Sequence, residues 1–200
     1  MPLPERNKNP DDPFLHRAVD HLEEFRREGM QTALLAALAQ ALATCDNANK
    51  IEPAFVQLLP EVLRISGSRF GFLAEVCYNP AGAPYLKSHA VIDVYKPNFG
   101  PNDIVSGLQF HNLETLNGAI LTSRQPVVAN DPSTDPRSGG LPFGHAQLDA
   151  FLGLPFLLDG DLVGAAALAN RPGGYSTTQV QLLAPLCEVG ALLIASCRSR

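Results

Sequence analysis

The stretch LPFLLDGDLVGAAALA, Leu154 to Ala169, decides the fold class because it predicts the centre of a β-sheet. Its two apolar runs flank Asp159-Gly160, a dipeptide that tolerates the positive φ angles of a tight type I′ turn. The stretch therefore predicts an antiparallel hairpin. The second run is nearly all small residues, from Gly164 to Ala167, so we expect a buried central strand against which helices can lie close.

Two more strands are predicted earlier in the chain. The segments SRFGFLAEVCY (68–78) and PYLKSHAVIDVY (84–95) are rich in apolar residues, and the turn-favouring NPAGA (79–83) joins them, which indicates a second hairpin. QPVVAN (125–130) predicts a short strand. The segment KPNFGPNDIVSGLQF (96–110) contains two prolines and two glycines, so we expect a loop with short helical pieces there.

Helical periodicity dominates both ends of the chain. From Phe14 the apolar residues recur at steps of four and three, namely Leu15, Val19, Leu22 and Phe25, and a second set continues in QTALLAALAQALATC (31–45). The segment 51–66 predicts a further helix with a kink at Pro60, and HNLETLNGAILTSR (111–124) predicts another. The last helix is predicted to begin after Ser176, which forms a capping-box pattern with Gln179, and to bend near Pro185.

Composition and charge restrict the class of protein. With 46% hydrophobic and 18% charged residues in a chain of 200, the sequence predicts one globular domain. The formal net charge is −5 and no basic run exceeds Arg26-Arg27, so we expect no nucleic-acid partner. No apolar run reaches the roughly 18 residues of a membrane span, and no signal-peptide core precedes Leu15, so we expect a cytoplasmic protein without a membrane partner.

Two smaller features complete this picture. Residues 1–13 are rich in proline, asparagine and aspartate and predict a flexible arm. The four cysteines form no CxxC pair, and we interpret them as reduced residues of the core or surface. They are Cys45, Cys77, Cys187 and Cys197.

A long segment of turn-forming residues, ANDPSTDPRSGGLPFGHA (129–146), separates two of the predicted strands. One interpretation is structural: Asp131 and Asp135 each precede a proline and form turns, while Arg137 fixes the loop through an ion pair or carbonyl contacts. The other is functional, since loops of this length between core strands commonly carry function, and its polar groups, including His145, then face a cavity. The two interpretations are compatible.

Patterns for catalysis and metal binding are missing from the sequence. It contains no GxSxG, no GxxxxGK[ST] and no HExxH. His16 and His21 stand five residues apart, which separates two side chains on a helix, and His111 with Glu114 lacks a third ligand. We therefore predict no metal site and no catalytic residue. A rival hypothesis is an enzyme in which His145 pairs with an aspartate, Asp131 or Asp135, as acid and base.

Three segments resemble those of GAF domains, the small-molecule sensor modules of signalling proteins. They are SGSRFGFLAEV (66–76), NLETLNGAILTSRQPVVANDPSTDPRSGGLPFGHAQLDAFLGLPF (112–156) and GDLVGAAALANRPGGYSTTQVQLLAPL (160–186). The last two are most similar to GAF domains of bacterial histidine kinases and related two-component sensors. The resemblance covers Gln31 to Ser196, in the order helices, hairpin, irregular segment, helix, strand, long loop, hairpin and helix.

The resemblance implies an α+β fold, GAF-like and related to PAS domains. A central antiparallel sheet of about six strands would carry the terminal helices on one face, and loops with short helices would form a ligand pocket on the other. The domain would span residues 31–198, preceded by an N-terminal dimerisation and signalling helix at 14–30. The candidate ligand-binding residues that it implies are Tyr85, His89, Phe110, Asn112, Asn130, Asp131, Arg137 and His145.

The sequence also departs from some members of that family. Relatives that hold a bilin covalently do so through a pocket cysteine, and methionine sulfoxide reductases of this fold use pocket cysteines, but no cysteine lies between Tyr78 and Leu186. Covalent bilin is therefore not expected, and the cofactor stays unknown. The NKxnFxxxDE pattern of cyclic-nucleotide-binding members is only faintly matched by ANRPGGYSTTQ (169–179).

Together these features predict a cytoplasmic sensor module that binds an unidentified small molecule and is not itself an enzyme. We expect it to be the input module of a two-component sensor histidine kinase, and to form a homodimer through its N- and C-terminal helices. The alternatives are the His/Asp enzyme in the same pocket and a ligand-free dimerisation module.

Overall fold

The computed structural model describes residues 13–48, 50–96 and 98–198, with side chains from residue 22 onward except at 46–48. The described chain has an α+β fold, as expected. Its helices are α1 (Pro13–Ala48), α2 (Ile51–Ser66), α3 (Leu116–Ser123), α4 (Thr177–Leu182) and α5 (Ala184–Arg198). Its strands are β1 (Phe70–Tyr78), β2 (Pro84–Ile92), β3 (Ile104–Val105), β4 (Gln109–Phe110), β5 (Val127–Ala129), β6 (Phe151–Leu158) and β7 (Asp161–Ala169). Residues 1–12 of the arm predicted at 1–13, and the side chains of His16 and His21, lie outside the described residues.

The strands form one antiparallel sheet in the order β3-β2-β1-β7-β6-β5, with β4 also paired to β2. Both hairpins predicted from the sequence are confirmed. Asp159 and Gly160 have φ angles of 51° and 90°, as a type I′ turn between β6 and β7 requires. Asn79 begins the other turn, and its side-chain oxygen accepts hydrogen bonds from the backbone N–H groups of Ala81 and Ala83.

The segment 96–110 was predicted to carry short helical pieces, and that prediction was wrong. It holds β3 and β4, both of which pair with β2. Gly107 adopts a φ of 82°, and on either side of this kink the chain returns to hydrogen-bond with Ser88. Gly107, one of the two glycines on which the loop prediction rested, is thus an irregularity in an edge strand, because glycine adopts that angle without strain.

Helices α2 and α5 pack on one face of the sheet, α1 packs against these two helices, and together they form the larger core. Leu34, Leu38, Phe55 and Leu186 are buried there. The predicted close approach of a helix to β7 is confirmed: a Cβ added to Gly164 would lie 2.3 Å from Ile194 Cδ1. On the other face a smaller core forms around α3, and the rest of that face is covered by loops.

Helix α1 runs without a break past Gly29, so no change of secondary structure marks the expected boundary between residues 30 and 31. The division into a helix at 14–30 and a domain at 31–198 stays a prediction. Side chains 22–29 are exposed, whereas the turns from Leu34 onward pack against α2 and α5. None of the described helices is long and apolar enough to cross a membrane.

The C-terminal end behaves as the sequence predicts. Ser176 caps α4 in a capping box with Gln179, and the helix is interrupted at Leu183, two residues before Pro185. Thr115 caps α3 by accepting from the N–H of Gly118, which is why that helix begins only at Leu116 rather than near His111.

A network of partly buried ionisable side chains joins the end of α5 to the sheet. Glu75 on β1 bonds His89 Nε2 at 2.9 Å and Arg198 Nε at 2.6 Å, and Arg198 Nη2 also donates to the carbonyl of Val76 at 2.6 Å. The hydrogen bond from His89, followed by that from Arg198, lowers the pKa of the Glu75 carboxyl below its usual value against the opposing effect of burial. The network therefore fixes the last turn of α5 on β1.

We expect Glu75→Gln to lower the free energy of unfolding at pH 7 by about 0.5–2 kcal/mol, with allowance for solvent screening. Because the pKa of Glu75 is depressed in the folded protein, its stabilisation is present at neutral pH and disappears as the pH falls through that folded pKa. Urea unfolding at pH 7 and at acid pH measures both effects. The exposed pair Glu61–Arg64 supplies the control, Glu61→Gln, which should change stability little. Equal losses in the two variants at pH 7 would contradict this assignment.

Candidate ligand-binding pocket

A cavity of about 550 Å³ lies on the face of the sheet opposite α1 and α5. Its floor is formed by the start of β1, the end of β2 and the end of β7. One wall is formed by β4 and the first turn of α3, and the roof by residues 138–148 of the long segment before β6. We call the long segment 129–146 the roof segment, since its second half supplies most of the residues that cover the cavity.

Aromatic side chains make up much of the wall. Phe70 and Phe72 come from β1, Phe110 from β4 and Phe151 from β6, and Tyr95 stands at the mouth. The rings of Phe72 and Phe110 stack with centroids 4.7 Å apart. Flat apolar surfaces of this kind favour contact with a planar apolar ligand.

Polar side chains also line the cavity, and one of them has an unsatisfied atom. Asn117 Oδ1, in the first turn of α3, is buried and is the one such side-chain atom in the described residues that has no hydrogen-bond partner. Leaving a buried acceptor unpaired costs about 1–3 kcal/mol. Asp93 supplies a carboxylate, and among the described lining residues there is no lysine or arginine.

Three of the residues predicted from the sequence lie on this wall: Phe110, Asn112 and His145. Asn112 Oδ1 accepts from the N–H of Glu114 and so shapes the turn before α3. His145 contacts the rings of Phe70 and Tyr95 edge-on, and its Nδ1 bonds the carbonyl of Ala146 at 2.6 Å. Because a carbonyl can only accept, Nδ1 carries the proton and Nε2 is left to accept in the neutral ring.

Tyr85 and His89 were expected on this wall, and the structure places both elsewhere. Tyr85 alternates with Leu86, which belongs to the core around α3, so its ring stands opposite Cys77 and stacks on His111. The pairing of β1 and β2 skips His89, because Leu73 pairs with Ala90 and Ala74 with Ser88. His89 follows the same alternation as Tyr85 and faces Phe55 of α2 and Glu75, and the bulge places the next residue, Ala90, on that face as well.

Asn130 was also expected to line the pocket, but it anchors the roof segment instead. Its Nδ2 donates to the carbonyl of Tyr175 at 2.9 Å, and its Oδ1 accepts from the N–H of Tyr175 at 2.8 Å. The Tyr175 hydroxyl lies 2.7 Å from the hydroxyl of Ser68, and burial raises the pKa of this phenol to about 12. One end of the roof is thus tied to the turn that precedes α4.

Asp131 and Arg137 were also expected to line the pocket. Both instead hydrogen-bond groups within or next to the roof segment, as the structural interpretation of the sequence predicted. Asp131 accepts from the hydroxyls of Ser133 and Thr134, which lower the pKa of its carboxyl. Arg137 holds Asp135 through two hydrogen bonds and donates to the carbonyl of Val128 at 2.9 Å. These contacts clamp the middle of the roof to β5, outside the cavity wall.

The same contacts concern the rival hypothesis, in which His145 and Asp131 or Asp135 act as acid and base. Arg137 lowers the pKa of Asp135 to about 2, Asp131 bonds the hydroxyls of its own turn, and His145 bonds a backbone carbonyl. The proposed acid–base partners are each engaged with other groups. No cluster of three metal-ligating side chains occurs among the residues whose positions are described.

Several wall residues were missed by sequence reasoning, above all Asn117, Asp93 and Phe72. The alternation of Phe70 and Phe72 along a predicted strand was a usable signal, since residues two apart share a face. Asn117 gave none, because the sequence does not show where the roof segment packs against the start of α3. That packing is close: a Cβ on Gly139 would lie 2.2 Å from the carbonyl oxygen of Glu114.

The GAF domain family model matches residues 51–195, well over half of the chain. The protein therefore belongs to the GAF domain family, a regulatory fold that binds small molecules in diverse proteins. No curated protein matches the chain.

Solved structures of very different proteins share this fold. The GAF domain of a phosphoenolpyruvate-protein phosphotransferase from Coxiella burnetii is 16% identical, with a TM-score of 0.63, over 84% of this chain and 96% of that one. Free methionine-R-sulfoxide reductase from Neisseria meningitidis, in complex with its substrate, is 10% identical, with a TM-score of 0.57, over 83% and 90%. The phycocyanobilin-bound GAF domain of a cyanobacterial phytochrome is 14% identical, with a TM-score of 0.56, over 83% and 96%. At such identities the likeness concerns the fold alone.

The anchoring role of Asn130 makes a prediction that a ligand contact would not. Asn130→Asp keeps the acceptor for the N–H of Tyr175 but sets a carboxylate oxygen against the Tyr175 carbonyl. We expect the free energy of unfolding to fall by about 1–3 kcal/mol without any ligand present. Thermal or urea unfolding measures this, with Asn102→Asp on the exposed surface as the matched control. Unchanged stability in Asn130→Asp would exclude the anchor.

Proposed function

We propose that this domain is the cytoplasmic input module of a bacterial two-component sensor histidine kinase, and that it binds a small aromatic molecule without transforming it. The observation that carries the proposal is the orphaned oxygen of Asn117 on an aromatic wall. The kinase context rests on the resemblance of segments 112–156 and 160–186 to sensor GAF domains. The enzyme and the ligand-free module are the alternatives that the experiments below distinguish.

The cavity defines the ligand by size and surface. A volume of about 550 Å³ falls within the range of about 300–1,000 Å³ typical of small-molecule sites. Phe72, Phe110 and Phe151 offer flat apolar contacts. Asn117 Oδ1 is closed off from solvent in the ligand-free structure, so the proposal requires the Asn117 side chain to turn toward the cavity on binding. An N–H or O–H donor on the ligand would then satisfy this oxygen and remove the cost of burying it unpaired. The fitting ligand is a planar aromatic molecule with one donor directed at α3.

The charge of the lining residues further restricts the class of ligand. The wall presents the Asp93 carboxylate, and the described lining residues offer no guanidinium or ammonium group to pair with an anion. An anionic ligand would leave its charge unpaired at a cost, because a desolvated charge without a partner is strongly disfavoured. We therefore propose a neutral or cationic ligand. Non-covalent binding agrees with the lack of cysteine between Tyr78 and Leu186.

A physical connection links the pocket to the output helix. The roof segment is tied through Asn130 to the backbone of Tyr175, and the next residue, Ser176, caps α4. After a one-residue interruption α4 is followed by α5, which leads toward the chain end. A ligand that binds one position of the roof better than another shifts the population of that position, and only by its difference in affinity.

The test uses Asn117→Leu, which keeps the side-chain size and removes the oxygen. We expect this variant to be as stable as the wild type or more stable when no ligand is bound, because the unpaired acceptor is gone. Indole, which has one N–H donor, should raise the melting temperature of the wild type by mass action, whereas 1-methylindole, which has none, should raise it less. In Asn117→Leu the two compounds should act alike. Thermal shift at matched concentrations measures all four combinations.

The control is Asn102→Leu, an exchange of the same kind on the exposed surface, which should keep the preference for indole. Native mass spectrometry of the protein purified from its host shows in addition whether a compound is already bound. If neither indole nor a wider set of neutral aromatic donors stabilises the wild type, and no bound compound is found, the ligand-free module takes precedence. Conversion of a bound compound to a product would favour the enzyme.

Helix α1 supports the homodimer that forms part of this proposal. It is 36 residues long, about 54 Å, and its residues 22–29 are exposed. Leu22 and Phe25 are each 68% exposed. Apolar side chains three residues apart on a projecting helix suit the seam of a two-helix coiled coil. A second copy of the same helix is the proposed occupant.

We expect the paired substitution Leu22→Ser and Phe25→Ser to weaken self-association at least tenfold, because it removes the apolar seam. Sedimentation velocity over a range of protein concentrations measures the change. The neighbouring pair Glu23→Ser and Arg27→Ser, on the same exposed turns, is the control. A wild type that remains monomeric at every concentration would contradict the dimer and leave the pocket unaffected.

A further inference from the structure

Two cysteines far apart in the sequence meet where the first and last helices pack together. Cys45, near the end of α1, is buried, and Cys197, in the last turn of α5, is partly exposed. Their sulfurs lie 2.8 Å apart across a separation of 152 residues. A disulfide bond is about 2.05 Å long, so no S–S bond joins them, and a shift of less than 1 Å would bring them to bonding distance.

We propose that Cys45 and Cys197 form a redox modification site, which closes to an intramolecular disulfide when a peroxide oxidises it. The proposal does not depend on the ligand pocket, since the pair lies on the opposite face of the sheet. It adds an oxidant as a second input to the same terminal helices. The oxidant is hydrogen peroxide or an alkyl hydroperoxide.

The chemistry balances with one peroxide. The Cys197 thiol releases its proton to solvent, and the thiolate attacks a peroxide oxygen, so that the O–O bond breaks and a sulfenic acid forms as the first water leaves. Cys45 then loses its proton and attacks the sulfenic sulfur, which forms the S–S bond and expels hydroxide as the second water. Two thiols and one hydrogen peroxide thus give one disulfide and two waters, and a dithiol reductant reverses the step.

The other two cysteines are poor competitors in this reaction. Burial raises the pKa of the Cys187 thiol to about 12, and its sulfur contacts the carbonyl oxygen of Leu183 within its own helix. Burial also raises the pKa of Cys77, beside the phenol of Tyr85 on the sheet. Since only the thiolate reacts, both are held in the unreactive form at neutral pH. Access favours Cys197, because it stands at the exposed end of α5.

Closing the bond would join α1 to α5 through a covalent link. These are the two helices that enter and leave the domain, so the disulfide would prevent them from sliding or rotating past each other. A cross-link that spans 152 residues also restricts the unfolded chain strongly. Oxidation should therefore stabilise the fold as well as immobilise the helix pair.

The experiment uses the full chain, reduced with dithiothreitol, freed of it, and titrated with hydrogen peroxide. Non-reducing peptide mapping by mass spectrometry should find one cross-linked peptide pair, which contains Cys45 and Cys197 and has lost two hydrogens. The melting temperature should rise by about 5 °C or more, and dithiothreitol should reverse the rise. Monomeric mobility on a non-reducing gel should be kept.

Variants separate this site from other cysteine chemistry. Cys187→Ser, in the same helix as Cys197, should keep both the cross-link and the thermal shift. Cys197→Ser, at a partly exposed position where folding is not at risk, should lose both, and Cys45→Ala should leave a dimedone-reactive sulfenic acid at Cys197. The proposal is overturned if Cys45 and Cys197 stay open to alkylation after peroxide treatment. A cross-link to Cys77, or between two chains, would overturn it equally.

Discussion

The small side chains of β7 are the constraint on which the rest of the structure depends. Gly164 lets α5 approach the sheet, since any Cβ there would meet Ile194 on one side and the carbonyl of Ala74 on the other. On the opposite face Ala167 and Ala169 are too short to fill the space above them, and they form part of the cavity floor. One run of glycine and alanine therefore produces close helix packing on one face and a hollow on the other. The roof segment covers that hollow because Asn130 and Arg137 hold it at two separate points.

The sequence was sufficient for the parts of the fold that local chemistry determines. Asp159-Gly160 requires positive φ at both positions, Ser176 with Gln179 forms a capping box, and both features appear in the structure. The prediction of short helical pieces in 96–110 failed because prolines and glycines occur both in loops and at kinks of edge strands. Only the pairing with β2 shows that this segment contains strands. Local chemistry does not contain that pairing.

The candidate site was less predictable, for reasons that particular residues show. His89 shares a face of β2 with Tyr85 by regular alternation, and only the packing of α2 and Glu75 against that face shows that it points away from the pocket. Asn130 bonds a backbone 45 residues away, so its role depends on tertiary packing. Asn117, the most informative residue of the wall, was absent from the prediction because nothing local in the sequence marks its side-chain oxygen as buried and unpaired. Both interpretations of the roof segment describe part of it. Its charged residues hold the segment in place through hydrogen bonds, and His145 lines the cavity.

We propose that the two faces of the sheet serve two inputs, a ligand on one and an oxidant on the other, which meet at α5. The central claim is that a donor-bearing aromatic molecule enters the cavity and binds Asn117. The most direct measurement is a titration of isotope-labelled protein with indole, followed by NMR through the side-chain amide of Asn117 and the methyl groups of Leu116 and Leu148. We expect saturable shifts that are largest at these groups, and a larger shift of the Asn117 amide with indole than with 1-methylindole. Shifts confined to α1 and α2, or an Asn117 amide indifferent to both compounds, would contradict it.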